Sequence, residues 1–285
     1  MIRICIQPST FEITSMQDKQ NPYIDINHSV DSTEVAAEHA KLVKQFTTRV
    51  YVFTISSEVS LPDLVFVANG GLSLPRLPEP LILLPYMKYS QRKRELPYLK
   101  KMFTTLGVKH MAFPGSSSAP FEGQAEIKWF QGGRLAVAGY GHRSTKKTFE
   151  LLDKLLQRIY TKAGITPPKI LALPLESDNY YHLDVAMLEF DNQCIVHKRA
   201  FSEKSIGLLK DFLGDQKVHV LDTTDSFCLN SVVDGKNLIT HKITDAKAKQ
   251  AIASITGLKI KEVNTREFEK SGGSVRCMTL DIHVV

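Results

Sequence analysis

Hydrophobic and polar residues follow two different periods along this chain, one helical and one strand-like. Five stretches carry apolar residues at helical spacing, and we predict a helix in each. Their bounds are 32–45, 90–106, 144–163, 202–213 and 244–255. Asp31 and Glu34 form a capping-box pattern at the start of the first helix, whereas Pro97 predicts a kink or a division in the second. The helices start at intervals of roughly 40 to 60 residues, so the order of elements repeats.

Short β-rich runs lie between these helices. The chain opens on one of them, residues 1–8, which we predict to be the first strand. The other predicted strands are 49–55, 64–67, 81–84, 127–130, 134–138, 169–173, 183–190, 193–198, 218–221, 231–233, 237–240 and 275–284. Hairpin turns are indicated at Gln131-Gly132-Gly133, Asp191-Asn192 and Asp234-Gly235.

The hairpins bear on the fold class. Strands joined by tight turns are antiparallel, which fits poorly with a doubly wound parallel sheet, the default alternative for an α/β chain. A helix with two or three strands, repeated five times, predicts instead one closed, pseudo-symmetric α/β domain over residues 1–285.

Bulk composition is that of an ordinary soluble globular protein. The chain has 285 residues, of which 43% are hydrophobic and 23% are charged. No apolar run approaches the roughly 18 residues that a membrane span requires. The N-terminal run is too short and too soon polar for a signal peptide, so we predict a cytoplasmic protein with no membrane partner.

Charge and cysteine content narrow the choice of partners. The net charge of +6 invites a nucleic-acid interpretation, but the basic residues are scattered, and the longest cluster is Arg92-Lys93-Arg94. Because the clusters lie in or beside predicted helices, we interpret them as solvated helix faces and predict no nucleic acid binding. The four cysteines have neither a zinc spacing nor that of a disulfide scaffold, so we expect reduced thiols and no metal.

Cys277 is the first candidate for chemistry. It follows the pair Gly272-Gly273 and lies at the entry to the predicted strand 275–284. Glycines allow close backbone approach and dihedral angles that a side chain forbids. A cysteine presented where a turn enters a strand is a candidate nucleophile, although a buried structural thiol is the alternative.

His182 and Asp184 are the second candidates. They stand two residues apart in a predicted strand, where period-two geometry would put both side chains on one face. A strand-end histidine beside a solvated aspartate is the alternative interpretation.

Together with further segments, these residues resemble the guanidino-group-modifying superfamily, which comprises dimethylarginine dimethylaminohydrolases, arginine deiminases, amidinotransferases and arginine dihydrolases. The matching segments, in chain order, are 8–13 with 21–23, 62–71, 92–95, 121–126, 141–145, 180–186, 227–230 and 267–280. They span nearly the whole chain. The resemblance implies a five-module α/β propeller, the pentein fold, which agrees with the repeat of elements.

The resemblance also implies catalytic roles. Cys277 would be the nucleophile and His182 the general acid and base. Glu122 matches the glutamate of the family's catalytic group, and together with Asp184 it would hold the guanidinium. Glu126 stands where the family has an aspartate, which is one methylene shorter.

Two further segments are implied to bind the substrate side chain. Asp63 belongs to a Pro-Asp-x-Val-Phe segment that lines the family's pocket, and Asn21 matches a pocket asparagine. Asn69 follows Ala68, which is similar to the Ala-Asn run of arginine dihydrolases and departs from the Glu-Asp pair of dimethylaminohydrolases. In the dihydrolases that asparagine is associated with a second hydrolysis.

Arginines would hold the substrate carboxylate. Arg143 is one candidate, and the register leaves the other open between Arg92 and Arg94. A solvated surface role is the alternative for each.

The function implied is a cysteine hydrolase that acts on arginine or an arginine derivative through a covalent thiouronium, with no cofactor. An arginine dihydrolase would release ornithine, ammonia and carbon dioxide, whereas a dimethylaminohydrolase or a deiminase would release citrulline. An amidinotransferase, or a non-catalytic binding protein on the same fold, would also be compatible with the motifs. The sequence does not indicate an oligomeric state; a homodimer is the commonest oligomer among soluble proteins.

Overall fold

The computed structural model describes residues 1–284. Within them, fifteen strands form five sheets of three strands each. The strands are β1 (Ile2–Ile6), β2 (Val50–Phe53), β3 (Leu72–Ser73), β4 (Leu81–Leu84), β5 (Lys109–Ala112), β6 (Ile127–Phe130), β7 (Leu135–Tyr140), β8 (Lys169–Pro174), β9 (Met187–Phe190), β10 (Gln193–His197), β11 (Val218–Leu221), β12 (Val232–Asp234), β13 (Asn237–His241), β14 (Lys259–Val263) and β15 (Leu280–Ile282).

Each sheet has the same internal order. An inner strand pairs antiparallel with the middle strand, and the middle strand pairs parallel with an outer strand that follows a helical crossover. The inner strands are β3, β6, β9, β12 and β15. In the first module the inner strand comes from the other end of the chain, because β15 pairs with β1 in the register Ile4↔Leu280. This pairing closes the ring of five modules.

The crossover helices are those that the hydrophobic period predicts. They are α1 (Ser32–Gln45), α2 (Ser90–Lys93), α3 (Leu96–Thr105), α4 (Lys146–Lys162), α6 (Glu203–Leu213) and α7 (Ala246–Thr256), while α5 (Leu183–Ala186) and α8 (Arg266–Glu269) are single turns elsewhere. The predicted second helix is divided into α2 and α3, and Pro97 stands in the first turn of α3, where its missing N–H is harmless.

The cap at the start of α1 agrees only in part with the prediction. The Asp31 side chain accepts hydrogen bonds from the backbone N–H groups of Thr33 and Glu34, at 2.8 and 3.1 Å. The backbone N–H of Asp31 donates to Glu267, at 2.8 Å, and not to Glu34. The helix is therefore tied to the segment that carries Cys277.

Three predicted strands are wrong in whole or in part. Residues 64–66 lie in a loop, and Val67 begins a short 3-10 helix (Val67–Gly70). Every side chain from Leu64 to Val67 is buried, and a short run that is buried on all sides has no period that distinguishes a strand from a loop. The run 183–190 begins with the turn α5 and becomes a strand only at Met187. The run 275–284 is a strand only over Leu280–Ile282, so Cys277 lies in a turn.

Some strands of the structure were not predicted. β3 has two residues, and β5 and β14 are half-exposed outer strands that carry charged residues. The three predicted hairpin turns are confirmed between β6 and β7, β9 and β10, and β12 and β13. Among residues 1–284, no helix is both long enough and apolar enough to cross a membrane.

Candidate active site

The candidate site forms where five loops meet, each just before an inner strand. Asn69 precedes β3, Glu122 precedes β6, His182 and Asp184 precede β9, and Asn230 and Cys277 precede β12 and β15. Because the inner strands surround the centre of the ring, residues far apart in sequence converge at their N-terminal ends. The pocket there is lined by Gln20, Asn21, Asp63, Phe66, Asn69, Arg92, Arg143, Tyr181, His182, Ser271 and Cys277.

Asn230 holds the nucleophile loop. Its Nδ2 donates to Sγ of Cys277 at 3.1 Å, and its Oδ1 accepts from the backbone N–H groups of Arg276 and Cys277 at 3.0 and 3.3 Å. Sγ also lies 3.6 Å from Oδ2 of Asp184. Burial raises the pKa of Cys277 well above its ordinary value, and the nearby Asp184 carboxylate raises it further. In this arrangement the cysteine is a neutral thiol that donates to Asp184.

Asp184 is fully buried, and only one of its oxygens contacts a donor in the part of the chain that the structure describes. The other oxygen, Oδ1, has no hydrogen-bond partner among residues 1–284. Burial raises the pKa of Asp184 to about 6, while the nearby cations Lys128 and Arg276 act in the opposite direction. A buried carboxylate oxygen without a donor is costly, so this position favours a cationic or hydrogen-bonding ligand beside Sγ.

The second half of the site is an ionised cluster around Glu122. Its Oε2 accepts from Nη1 of Arg143 at 2.8 Å and lies 2.8 Å from Nε2 of His182 and 3.3 Å from Nδ2 of Asn69. Its Oε1 accepts from the backbone N–H of Lys88 at 3.1 Å. Burial alone would raise the pKa of Glu122, but the Arg143 charge and the hydrogen bond from His182 hold it well below its ordinary value.

His182 is neutral beside this carboxylate. Burial lowers the pKa of His182 to about 4, and the positive charge of Arg143 adds to that effect, whereas the hydrogen bond to Glu122 opposes it. A neutral imidazole that donates from Nε2 to Glu122 keeps Nδ1 as its basic nitrogen. His182 is thus available to accept a proton.

Asp63 lies at the far side of the pocket and is held by neutral donors. Its Oδ1 accepts from Nε2 of Gln17 at 2.7 Å and from Ser271 at 3.3 Å, and its Oδ2 accepts from Gln91. Asn21 donates to the backbone carbonyl of Ser271 at 3.2 Å. Both predicted pocket residues therefore lie at the pocket, and Gln17 is a contact that the sequence did not indicate.

The structure separates the two candidate arginines of the second helix. Arg92 is buried and lines the pocket, with Nε and Nη2 each 2.8 Å from a carboxylate oxygen of Glu95. Arg94 is exposed and contacts Met16. Arg143 also lines the pocket, with the rings of Tyr89 and Tyr181 at 4.9 and 5.1 Å. The pair that faces the pocket is therefore Arg92 and Arg143.

The predicted residues come together with two exceptions and one change of geometry. Arg94 is outside the pocket, and Glu126 lies behind Glu122, where it accepts from the backbone N–H of Glu122 at 3.0 Å. Burial and the Glu122 charge raise the pKa of Glu126 well above its ordinary value, so it is a neutral acid. The expectation that His182 and Asp184 share one face of a strand is wrong, because they flank the start of the α5 turn and contact different partners.

Tyr181 was not predicted, although it adjoins His182 in sequence. Its hydroxyl donates to the backbone carbonyl of Gly272, which fixes the nucleophile loop. Gly272 has a φ of 85° and packs against Asn21, while Gly273 packs against the ring of Phe66, so a side chain at either position would collide. Among residues 1–284, no group of three or more histidine, cysteine or acidic side chains is arranged to hold a metal ion.

Comparison with known proteins identifies the family of the chain. Residues 7–284 match the family model described as N,N dimethylarginine dimethylhydrolase, eukaryotic. The chain belongs to this family. The match confirms the superfamily that the motifs predict, and it begins just after β1 and extends through β15.

The similar curated proteins include both an arginine dihydrolase and a dimethylarginine dimethylaminohydrolase. The chain is 28% identical over 266 residues to the bifunctional arginine dihydrolase/ornithine cyclodeaminase AgrE of Nostoc sp., with 92% of this chain and 35% of that protein covered. It is 26% identical over 267 residues to the N(G),N(G)-dimethylarginine dimethylaminohydrolase of Mycobacterium tuberculosis, with 92% and 80% covered. The chain thus spans about a third of the length of the bifunctional relative.

Solved structures confirm the fold. Unliganded AgrE superposes with a TM-score of 0.82 at 25% identity, over 98% of this chain and 38% of that chain. A dimethylarginine dimethylaminohydrolase adduct superposes with a TM-score of 0.67 at 17% identity, over 98% of both chains. The five-module α/β propeller predicted from the sequence is therefore the pentein fold of this family.

Proposed function

We propose that the chain is a cysteine hydrolase of guanidino groups and that arginine is its substrate. The observation that carries the proposal is the buried carboxylate of Asp184, whose Oδ2 lies 3.6 Å from Sγ of Cys277 and whose Oδ1 has no partner within residues 1–284. A guanidinium fits this position because it is a planar cation whose N–H groups pair with a carboxylate. Its carbon would then lie close to the sulfur.

The first half of the reaction follows from the protonation states. A thiol is a poor nucleophile, and the bound guanidinium would lower the pKa that burial and Asp184 raise. The thiol proton passes to neutral His182 while sulfur bonds to the guanidino carbon. His182 then gives that proton to the departing nitrogen, the C–N bond breaks, and ammonia leaves. A thiouronium remains on Cys277.

Hydrolysis completes the cycle. His182 takes a proton from water, the oxygen attacks the thiouronium carbon, and the C–S bond breaks with the electron pair returning to sulfur. The proton on His182 then passes to that sulfur, which restores the thiol, and the proton of the new hydroxyl group leaves with ammonia as ammonium. The Glu122 carboxylate, already paired with Arg143, would stabilise the imidazolium that forms twice in each cycle. With arginine and one water, the products are citrulline and ammonia.

A second round on the ureido product would give ornithine, ammonia and carbon dioxide, and we propose this arginine dihydrolase activity. Asn69 supports it, since its Nδ2 lies 3.3 Å from both Nε2 of His182 and Oε2 of Glu122. An amide at this position donates to a ureido oxygen, which an aspartate would repel. Among the relatives, an asparagine-to-serine variant of the ArgZ N-terminal domain is solved covalently bound to a reaction intermediate.

The alternative product is citrulline, from methylated arginine or from arginine itself. The matching family model is described as a dimethylarginine dimethylhydrolase, which supports hydrolysis of methylated arginine as the second candidate activity. An amidinotransferase needs an acceptor amine, and a non-catalytic protein would not need the assembled Cys277, His182 and Glu122. AgrE is solved with L-arginine as a cysteine-to-alanine mutant, which supports arginine for this chain.

The remaining expectations complete the proposal. We propose that residues 1–285 form one catalytic domain that needs neither a metal nor an organic cofactor. Arg92 and Arg143 would hold the substrate carboxylate, Asp63 and Asn21 would line the pocket, and Arg94 would not take part. We also still predict that the protein is cytoplasmic, that it forms a homodimer and that it binds no nucleic acid.

The test is incubation of the purified protein with arginine, monomethylarginine, dimethylarginine, citrulline and agmatine, with ammonia and amino-acid products followed by mass spectrometry. We expect ornithine from arginine, and citrulline in its place from Asn69→Asp. Citrulline without ornithine from the wild-type protein would refute the dihydrolase assignment. Cys277→Ser should form neither product, and Cys194→Ala is its matched control, because Cys194 is an equally buried thiol outside the pocket.

A further inference from the structure

A second cavity lies at the opposite ends of the inner strands. It has a volume of about 330 Å³ and is reached from the C-terminal ends of β6, β9, β12 and β15. Its lining includes Arg3, Trp129, Glu189, Val233, Arg276 and Asp281. Apart from Arg276, which adjoins Cys277 in the chain, these residues belong to none of the segments that form the candidate active site.

Most charges around this cavity are already paired. Arg3 bonds to Asp234 and lies 3.1 Å from Asp281, Arg276 bonds through Nη1 to Asp281 at 2.7 Å, and Nζ of Lys128 lies 2.7 Å from Glu189. In this part of the described chain, three cations thus face three carboxylates. The exposed Met1 and Asp191 stand at the rim of the cavity. Paired charges at this depth are stable only when their remaining donors also find acceptors.

Nε of Arg3 and Nζ of Lys128 make no well-aligned hydrogen bond within residues 1–284, but each lies beside a carboxylate. Arg276 differs, because one whole edge of its guanidinium has neither a hydrogen bond nor an ion pair in the described part of the chain. The residue is 2% exposed, and the two nitrogens without a hydrogen bond are Nε and Nη2. Their N–H groups lie parallel on one edge of the guanidinium, the edge that binds both oxygens of a planar oxyanion. The buried indole N–H of Trp129, on the same cavity, is also without an acceptor in the described part of the chain.

We propose that this second cavity binds a small planar oxyanion, a carboxylate or bicarbonate, on the Nε–Nη2 edge of Arg276. Two oxygens would accept from the fork, and the Trp129 N–H would supply a third donor. The cavity has room for an acetate or an amino-acid carboxylate with water around it.

Such a ligand would be coupled to the active site through one residue. The backbone N–H of Arg276 donates to Oδ1 of Asn230, which also holds Cys277. The charge of Arg276 lies close enough to Asp184 to favour its ionised form, which lowers the pKa of that carboxyl. An anion on Arg276 would weaken that effect, so guanidine binding would weaken when the second cavity is filled. This consequence, unlike the site itself, rests on the proposed function.

Trp129 provides the test, because it is the only tryptophan in the chain. The protein, without any guanidine, is titrated with formate, acetate and bicarbonate at fixed pH and ionic strength, with chloride as the balancing salt, while tryptophan emission is recorded. We expect a saturable change with at least one oxyanion. In Arg276→Lys, which keeps the charge and loses the fork, the Kd should rise at least about tenfold. Arg92→Lys, the matched change in the first pocket, should leave the titration unchanged.

A second variant covers the case in which Arg276→Lys does not fold. Val233→Phe fills the cavity and leaves Arg276 in place, and it should abolish the saturable change. A response to acetate and formate alone identifies organic carboxylates as ligands, and a response to bicarbonate alone identifies bicarbonate. A titration that is flat, that chloride reproduces, or that both variants leave intact would overturn the proposal. None of these outcomes depends on whether guanidines are hydrolysed.

Discussion

The two halves of the candidate site solve opposite electrostatic problems. Around Glu122, the charge is present and compensated, because Arg143 and His182 surround a carboxylate whose pKa is held far below its ordinary value. Around Cys277, burial and Asp184 raise the pKa of the sulfur and keep it a thiol. The first half is complete in itself, whereas the second holds a buried carboxylate oxygen with no donor among residues 1–284.

This contrast indicates which half of the site a bound guanidinium would change. A guanidinium adds little to the Glu122 half, whose acceptor positions are occupied. At the Cys277 half it would supply both a partner for Asp184 and the charge that favours a thiolate. The sequence motifs predict that Glu122 and Asp184 hold the guanidinium together, but the geometry favours Asp184 alone for that task.

The largest effect is expected from the nucleophile. Cys277→Ser should reduce kcat on the order of 10⁴- to 10⁶-fold, because an alcohol in this site cannot be ionised by a bound cation. Ornithine and ammonia release from arginine, followed by mass spectrometry, measures the loss. Cys194→Ala should keep activity. A Cys277→Ser protein with unchanged turnover would remove the covalent mechanism altogether.

Glu122→Gln tests the compensated half. The loss of charge should reduce kcat about 10²- to 10⁴-fold, since the imidazolium of His182 would have no counterion. Arg143 would remain buried without its partner, which costs about 3–5 kcal/mol of stability. Glu126→Gln is the matched control, because its raised pKa already makes Glu126 neutral. Equal losses in both variants, measured by kinetics and by thermal unfolding, would contradict the distinct roles.

The same contrast explains how much of the site could be predicted from the sequence. Residues that carry chemistry, such as Cys277 and His182, stand out because their types and neighbouring residues match motifs in the right order. Gln17 and Tyr181 could not be identified, since a glutamine in a loop and a tyrosine beside a histidine have no pattern of their own. They act through Asp63 and Gly272, partners that only the folded ring supplies.

The fold shows the same limit. Periodicity predicted the crossover helices and the hairpins because each has one buried and one solvated face. It failed over residues 64–67 and at Cys277, where the chain is buried on every side and the turns are set by contacts with other modules. The closing pair of β1 with β15 links the two ends of the chain, which no local pattern encodes.

Matched substitutions of Arg92 and Arg94 test which of the two binds the substrate carboxylate, a choice that the sequence left open. Arg92→Lys should raise the KM for arginine about 10- to 100-fold, because a lysine cannot bond both Glu95 and a substrate carboxylate in the same plane. Arg94→Lys, on the exposed face of the same segment, should leave KM within about twofold. Turnover of agmatine, which has no carboxylate, should be insensitive to Arg92→Lys. Equal effects on arginine and agmatine would show that Arg92 supports the fold and not the carboxylate.

The smallest expected effect concerns the thiol itself. Because the pKa of Cys277 is raised, its neutral form dominates at neutral pH, and alkylation by a neutral haloacetamide should accelerate about tenfold for each unit of rising pH. A haloacetamidine of the same size is a cation and should bind at Asp184, so it should react about tenfold faster at neutral pH with a shallower pH dependence. Asp184→Asn should remove the advantage of the cation and lower the pKa of the thiol, because the repelling carboxylate is gone. If the two reagents react at the same rate in the wild-type protein, the Cys277 half does not favour a cation, and the contrast between the two halves is wrong.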